Sequence, residues 1–543
     1  MRLAAPPAAP ALAWPPASQL LAAGLAAVLR ARGLAGLGLA PLFDVDEGAF
    51  AEASREMLAS GDWWHTTLNG ADRFDKPILV YWLQAASLWL LGATEFAVRL
   101  PSALCAWAWC LATAAFVGPR WGWRAAVASA VVLATSLGPL LIGRAATADA
   151  LLNLLIALTL FDLWRGLEGG DAPTGQPDGL AAGRGAWRRA WVWAGLGLLA
   201  KGPVAVVVPA GALLLWAALQ GRPAWRRLAQ AARDWRGPLI ALAIALPWYA
   251  YALQRHGQAF VDGFFLRHNL QRFSGPLEGH GGSAFYHLLL LPLLLLPWTP
   301  LLLPLLRQWR RWWQAPAGRL LLAWALFVLM FFSLSGTKLP HYMLYGITPL
   351  AVGLGCVLCS GPRAAGLAVL ACCAGLVALG AASPWLLASA VQRWGDGFWR
   401  AMLAGSGLPP GPDLGAAAVV GLLLLAAAVW LWWQPRQAAA ATLVAALGAA
   451  SWCCLQVLPW WGQALQGPTK ALALQAAAQG AGLVQWQLHQ PSAGFYRGQP
   501  VPRRAPQAGE LALTRVDRLS PGARVLQQQG ALALVARPAG VAP

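Results

Sequence analysis

The chain has 543 residues, 58% of them hydrophobic and only 11% charged, where an ordinary globular chain carries roughly a quarter charged residues. Apolar runs of membrane-spanning length recur to about residue 458, which excludes a disordered protein, a small secreted scaffold and a soluble two-domain enzyme. Forty basic residues against 21 acids give a net charge of +19. Most arginines nevertheless lie in short breaks between apolar runs, in alternate loops. That is the positive-inside pattern of a multi-pass membrane protein and not a nucleic-acid surface.

The first apolar run, about 11–29, follows only Arg2 and has no small-residue cleavage site behind it, so it reads as an uncleaved span. With its N-terminus inside, residues 30–95 form a first outside loop. Further spans are expected near 97–117, 123–142, 148–165, 187–200, 203–219, 237–254, 285–306, 320–335, 342–360, 364–389, 414–433 and 438–458, thirteen in all. The runs at 187–200 and 320–335 fall short of the roughly 20 residues a full crossing needs. Inside loops then hold clusters such as Arg184, Arg188 and Arg189, or Arg222, Arg226, Arg227, Arg233 and Arg236, while Arg30 and Arg32 break the rule. Residues 1–458 form the membrane domain, and 459–543 are expected outside as a small mixed α/β domain with strands at Leu483–Leu488, Leu511–Val516 and Ala531–Val535. All eight cysteines fall in apolar runs, which supports neither a disulfide framework nor a thiolate metal site.

Polar chemistry gathers in the first loop. Eight of the 21 acids lie between residues 44 and 75. The segment Asp46–Ser60 has helical periodicity and is expected to lie on the membrane surface, followed by a second interfacial helix over Ile78–Leu91. For Asp44 and Asp46, helix N-capping is the plain alternative to a catalytic role. An Asp-x-Asp of the nucleotide-sugar type needs a doubly wound domain around it, and no such strand–helix alternation is present.

Only four of the 40 basic residues are lysines, Lys76, Lys201, Lys338 and Lys470, and all four map outside. A compact ammonium in an arginine-dominated chain suits a phosphate, with drift as the bland alternative. The seven histidines also fall outside or at that edge, with no metal-type spacing on one helix. Gly143-Arg144-Ala-Ala-Thr-Ala-Asp149 places an acid at a helix start, where a cap is the simple reading. Arg267–Phe273, with Glu278 and His280 following, is basic and aromatic; Ser335-Gly-Thr-Lys338-Leu-Pro-His341-Tyr342 is a tight turn between spans. Each has a structural explanation alone, but together they set acids, cations and aromatics on one side of one membrane.

The ordered series Asp46-Glu47-Gly-Ala-Phe-Ala-Glu52-Ala-Ser-Arg55-Glu56, Ser60-Gly-Asp-Trp, Leu68-Asn69-Gly70, Phe74-Asp75-Lys76-Pro77 and Glu95-Phe96-Ala-Val-Arg99 resembles the signature of bacterial GT-C glycosyltransferases, the aminoarabinose–lipid A transferases and relatives of the protein O-mannosyltransferases. Lys338-Leu-Pro-His341-Tyr342 and the Arg272-Phe273 region extend it. The resemblance implies a GT-C fold of about thirteen spans with a small outer C-terminal domain. It also implies sugar transfer from a polyprenyl-phosphate donor to a lipid or glycolipid acceptor, on the periplasmic face of a bacterial inner membrane. By position it makes Asp46 and Asp149 the active-site acids, with Glu47 beside them. It assigns Lys76, Arg272, Tyr342 and Lys338 to the donor phosphate, and leaves His341, Arg144, Glu52 and Arg55 as further cavity candidates. No cofactor and no metal are implied; a divalent ion has no support in the sequence. The chain departs from the aminoarabinose enzymes, which usually follow the acid pair with Thr-Arg-Tyr, by carrying Gly48-Ala49-Phe50.

The implied chemistry is a single inverting displacement at an anomeric carbon. Cations would stabilise the phosphate leaving group, and Asp46 would serve as general base for a hydroxyl acceptor. A secondary transporter or lipid-linked-sugar flippase is the rival reading, and it would place ionisable groups near mid-span. A non-catalytic scaffold would leave the ordered acid–lysine loop unexplained.

Overall fold

The computed structural model describes residues 33–169, 177–275, 279, 281–360, 363–404, 408–519 and 523–536. The expected first span and Arg2, Arg30 and Arg32, as well as Glu278 and His280, lie outside the described residues. Each of the other twelve expected spans coincides with helix. Among the described residues eight helices are long and apolar enough to cross a membrane, or nine if Tyr286–Leu294 and Thr299–Arg307, bent by 116°, make one broken span. The remainder are shorter or interrupted. The run at 187–200 is the apolar end of Pro177–Lys201, and that at 123–142 breaks at Ser136 into Trp123–Thr135 and Leu137–Ile142. At that break Leu137 N donates to Leu296 O (2.9 Å), so the interrupted ladder keeps a partner.

Inside a bilayer, helices gain little from burying apolar surface against each other, and packing and side-chain hydrogen bonds set their arrangement. Three buried indoles illustrate this. Trp109 donates to the Thr348 hydroxyl (2.9 Å), Trp298 to the Thr135 hydroxyl (2.8 Å) and Trp324 to the carbonyl of Tyr345 (2.7 Å). The last of these fixes a segment that carries site residues.

The first loop folds as two helices, Asp46–Ser60 and Leu79–Leu91, joined through a two-stranded ribbon of β1 (Thr67–Leu68) and β2 (Ala71–Asp72). The first helix is more enclosed than a surface helix would be: Ala49, Phe50, Ala51, Glu52, Ala53, Ser54, Glu56 and Met57 are all buried. Leu79–Leu91 covers one side and the short helix Ser492–Arg497 the other. Its small residues permit that double contact.

The last long helix, Leu458–Ala478, continues out of the membrane segment Ala438–Ala478, and its Leu472, Ala473 and Ala476 enter the core of the C-terminal unit. That unit is a four-stranded sheet in the order β3-β4-β6-β5, of β3 (Leu483–Gln485), β4 (Leu511–Arg515), β5 (Arg524–Gln529) and β6 (Leu532–Ala536). β3 runs parallel to β4, and the other pairs are antiparallel. The three expected strands are β3, β4 and β6. β5 escaped prediction because it is an edge strand with mostly exposed residues, Arg-Val-Leu-Gln-Gln-Gln, and has no inward apolar alternation.

Candidate active site

The chain brings acids and cations together at one end of the bundle, in two cavities bridged by the ion pair of Asp149 and Lys201. A salt bridge between Glu47 and Arg99 organises this end. Arg99 spends all five guanidinium N–H groups: Nε and Nη2 on the two Glu47 oxygens (2.8 and 2.7 Å), and the others on the carbonyls of Leu37, Ala40 and Pro41 (3.0, 2.6 and 2.8 Å). Glu47 also accepts from the N–H groups of Phe43 (2.9 Å) and Ala146 (2.6 Å). Placed with the catalytic acids by the sequence, Glu47 is buried with both oxygens engaged. It is a positioning residue that ties the segment before Asp46 to the turn before Asp149.

Asp44 and Asp46 take different roles. Asp44 accepts from Ser492 N (2.9 Å) and from the Ser492 hydroxyl, so it caps a helix of the C-terminal unit and not its own. A Cβ on Gly48 would lie 1.9 Å from Asp44 Oδ1 and 2.5 Å from Ser492 N, so only glycine allows this docking. Asp46 is exposed at the start of its helix, with no hydrogen-bond partner among the described residues, and it faces the first cavity. That cavity, about 490 Å³, is lined by Asp44, Asp46, Arg144, Thr147, Asp149 and His341 on its polar side and by Leu141, Leu458, Trp461 and Leu465 on its apolar side. Arg144 is fixed there by donating to the carbonyls of Gly33 (3.1 Å) and Ala35 (2.8 Å).

Burial pushes the Asp44 carboxyl up to about 7, against the hydrogen bonds from Ser492. An unfolded aspartate titrates near ~3.9, so this folded value is raised. The stability it lends is complete below about pH 4 and is lost as pH rises through about 7. Tm measured by scanning calorimetry is therefore expected to fall between about pH 4 and about pH 7 and to level off above, and the fall should flatten in Asp44→Asn.

The second cavity, about 200 Å³, holds the cations. Lys76, Lys201, Arg272, His268, Tyr342 and Tyr345 line it with Asp75, and Val204, Val207, Phe331 and Phe332 extend it as an apolar slot. Lys201 joins the two cavities, donating to Asp149 Oδ1 at 2.5 Å, with the Tyr345 hydroxyl 3.4 Å from the same oxygen. Asp75 organises the rest. Its oxygens meet Lys76 Nζ (2.8 Å), Arg73 Nη2 (2.9 Å) and His268 Nδ1 (3.1 Å). Against the cost of burial, Lys76, Arg73 and His268 hold Asp75 well below the usual carboxylate range. Burial pushes Lys76 below the usual lysine range; Asp75 opposes this, while Lys201 and Arg272 repel the ammonium. Lys76, Lys201 and Arg272, set against Asp75 and Asp149, leave net positive charge for an anion to neutralise.

Arg272 is positioned by main chain. Thr337 N donates to Arg272 O (3.2 Å) and Gly336 N to Phe273 O (2.7 Å), and a Cβ on Gly336 would sit 2.6 to 2.7 Å from the backbone of Gly275. The Ser335-Gly-Thr turn is thus the clamp on the Arg272 segment, and Tyr342 follows it into the same cavity.

Three predicted site residues lie elsewhere. Lys338 donates to the carbonyls of Ser333 and Ser335 (both 2.5 Å), at the end of the helix Pro316–Leu334. Its ammonium satisfies carbonyls left open by the helix terminus and does not line the cation-bearing cavity. Glu52 and Arg55 form a bidentate pair (2.7 and 2.8 Å), and Arg55 Nη1 reaches Gly498 O (2.9 Å). Both lie on the helix side facing the C-terminal unit, so they join that interface and not the cavity. Conversely, sequence reasoning left out Lys201, Tyr345, Arg73 and Asp75. Lys201 carried a signal as one of only four lysines, and Asp75 stood beside Lys76 in the quoted motif.

A metal-type donor set also exists among the described residues: His65, Asp72 and His256 place their ligand atoms within 4.8 Å of one another. Imidazole and carboxylate suit a divalent ion such as zinc. The group joins the first loop to the end of the helix Arg236–His256, a separation that no local spacing could reveal.

The family described as dolichyl-phosphate-mannose-protein mannosyltransferase matches residues 75–251, which include Lys76, Asp149 and Lys201. The undecaprenyl phosphate-alpha-4-amino-4-deoxy-L-arabinose arabinosyl transferase of Edwardsiella ictaluri is 33% identical over 323 residues, 57% of this chain and 54% of that one. A namesake from Pseudomonas fluorescens is 34% identical over 327 residues, 58% and 52%. The crystal structure of ArnT from Cupriavidus metallidurans bound to undecaprenyl phosphate superposes with a TM-score of 0.77 at 24% identity, covering 96% of this chain and 98% of that one. The chain is similar in sequence to these transferases over somewhat more than half of its length and shares the GT-C fold of the Cupriavidus structure. Its sequence match spans about half the length of these curated relatives.

Proposed function

We propose that this protein is an inverting membrane glycosyltransferase that moves a sugar from a polyprenyl-phosphate donor to an envelope acceptor such as lipid A, on the periplasmic face of the inner membrane. The observation that carries this reading is the convergence of Lys76, Lys201 and Arg272 on a cavity with an apolar extension, next to a separate chamber bearing Asp46. A polyprenyl phosphate needs both features of the cation-lined cavity, cations for its head and an apolar slot for its tail. The acceptor would enter the chamber, and its oxygen would attack the anomeric carbon as the bond from that carbon to the phosphate oxygen breaks. Charge grows on the leaving phosphate, where preorganised cations stabilise the transition state more than the ground state. For a hydroxyl acceptor Asp46 would take the proton; for a phosphate acceptor no base is needed, and Asp46 would orient the sugar or steady positive charge at its ring.

The Gly48-Ala49-Phe50 departure has a local cause. Gly48 is required by the docking of Ser492, Ala49 is buried, and Phe50 is buried against Tyr81 (ring centroids 5.4 Å apart) with the Arg73 guanidinium 5.5 Å above it. Arg73 therefore stands on the donor side of Asp46, held by Tyr81 (3.0 Å) and Asp75 (2.9 Å).

The test is Lys76→Ala in the purified full chain, titrated with undecaprenyl phosphate. Loss of one buried charge-assisted contact should weaken binding by about ten- to a hundredfold. Unchanged affinity would remove Lys76 from the phosphate site. Mass spectrometry of envelope lipids from a deletion strain would then name the sugar and the acceptor by the mass that disappears.

A further inference from the structure

At the opposite end of the bundle lies a second charged cavity that the transfer reaction does not use. Three helices connect the two ends. Asp149–Gly169 starts at the active-site acid, Pro177–Lys201 finishes at the active-site lysine, and Arg236–His256 finishes at the metal-type group. Their other ends enclose a cleft of about 860 Å³. Arg188 and Lys201 are thirteen residues apart on one helix, about 20 Å at 1.5 Å per residue.

Seven arginines line this cleft: Arg184 and Arg188, three more between Arg222 and Arg227, and Arg233 and Arg236. The acid among its lining residues, Asp234, is already paired with Arg188 (2.8 Å). Nearby acids are committed as well: Asp162 is bound by Arg165 and Arg189, and Glu168 by Arg120. Trp187, 7% exposed in the cleft wall, has an indole N–H with no acceptor among the described residues. Seven guanidinium groups against one paired acid give the cleft a net positive charge that attracts an anion.

The surroundings indicate the kind of anion. From Arg236 the helix continues with Leu239, Leu242 and Leu246, which are 50%, 53% and 57% exposed and follow a helical stripe. Trp235, 65% exposed, stands between the stripe and the cleft. A basic pocket that opens onto a lipid-facing apolar stripe, with an interfacial tryptophan at the junction, has the form of a phospholipid site.

We propose that this cleft binds the headgroup of an anionic phospholipid from the leaflet opposite the active site, with its acyl chains along Leu239, Leu242 and Leu246. The headgroup phosphate lies among Arg222, Arg226 and Arg233, and this lipid clamps the ends of the helices that carry Asp149 and Lys201. A soluble phosphate-bearing molecule shares the headgroup chemistry but has no use for the stripe.

The test uses the delipidated full chain in neutral detergent, with native mass spectrometry counting retained lipid and thermal unfolding as a second readout. Probes are dioleoyl phosphatidylglycerol, dioleoyl phosphatidylcholine and inorganic phosphate. Phosphatidylglycerol is expected to be retained and to raise Tm, and phosphatidylcholine is not. Each arginine removed should weaken binding about fivefold, so Arg222→Gln, Arg226→Gln and Arg233→Gln together should cost on the order of a hundredfold. Arg226→Gln alone, an exposed change that breaks no ion pair among the described residues, keeps the test open if the triple variant does not fold. Equal retention of phosphatidylcholine would overturn the proposal, as would undiminished phosphatidylglycerol binding by Arg226→Gln. A Tm rise from inorganic phosphate equal to that from lipid would assign the cleft to a soluble anion and overturn the lipid reading.

Discussion

Asp46→Asn is expected to lower sugar transfer by about a thousandfold, in the range of losing a positioned general base, while Tm stays within experimental error. The two halves of this expectation have separate causes. Structurally, Asp46 is exposed and holds no hydrogen bond among the described residues, and it caps no helix end. Chemically, it is, among the described residues, the uncommitted carboxylate of the chamber proposed for the acceptor, since Glu47 is bound to Arg99, Asp44 to Ser492 and Asp149 to Lys201. The neighbouring change Glu47→Gln is the contrast. It breaks a buried bidentate pair, and leaving one buried charge unmatched costs about 3–5 kcal/mol, so both Tm and activity should fall. Turnover is read as glycosylated lipid by mass spectrometry, with unfolding followed on the same preparations. Near-normal turnover by Asp46→Asn would reduce Asp46 to a surface carboxylate. A loss of fold in that variant would contradict the structural half.

The spans were legible because a bilayer demands apolar runs, and the run at 148–165 or at 414–433 needs no partner to be recognised. The enclosure of Asp46–Ser60 was not, because its second cover comes from Ser492–Arg497, more than 430 residues later. The same limit governed the site. Lys76, Asp149, Arg272, Tyr342 and His341 were identified by their place in motifs, and they line the two adjoining cavities. Lys338 came from the same motif, but its ammonium is held by carbonyls three to five residues earlier. A lysine just past a helix end is a capping signal, and that physical reading was available from the sequence. Glu52 and Arg55 point to the wrong side of a helix whose register alone could not say which side faced the cavity. Lys201 was visible as a rare lysine, yet no residue around it announced Asp149 as its partner, 52 positions away.

Lys201→Met should be the most damaging single change at the junction of the two cavities, costing about 3–5 kcal/mol of stability in addition to transfer. Lys201 and Asp149 form a 2.5 Å ion pair in which both side chains are about nine-tenths buried. Removing the ammonium leaves the buried Asp149 carboxylate without its ion-pair partner, with the Tyr345 hydroxyl at 3.4 Å and the Thr147 hydroxyl at 3.3 Å as weak compensation. The double variant Asp149→Asn with Lys201→Met separates structure from chemistry. With neither charge present the desolvation penalty disappears, so Tm should recover most of its loss. Transfer should not recover, because the phosphate cavity still lacks one of its three cations and the acceptor chamber one of its acids. A double variant that regains activity along with stability would make the pair a structural strut and return the donor phosphate to Lys76 and Arg272 alone. Recovery of Tm without turnover is the expected result, and it would place Lys201 where the geometry puts it, between the departing phosphate and the acid at the start of the helix Asp149–Gly169.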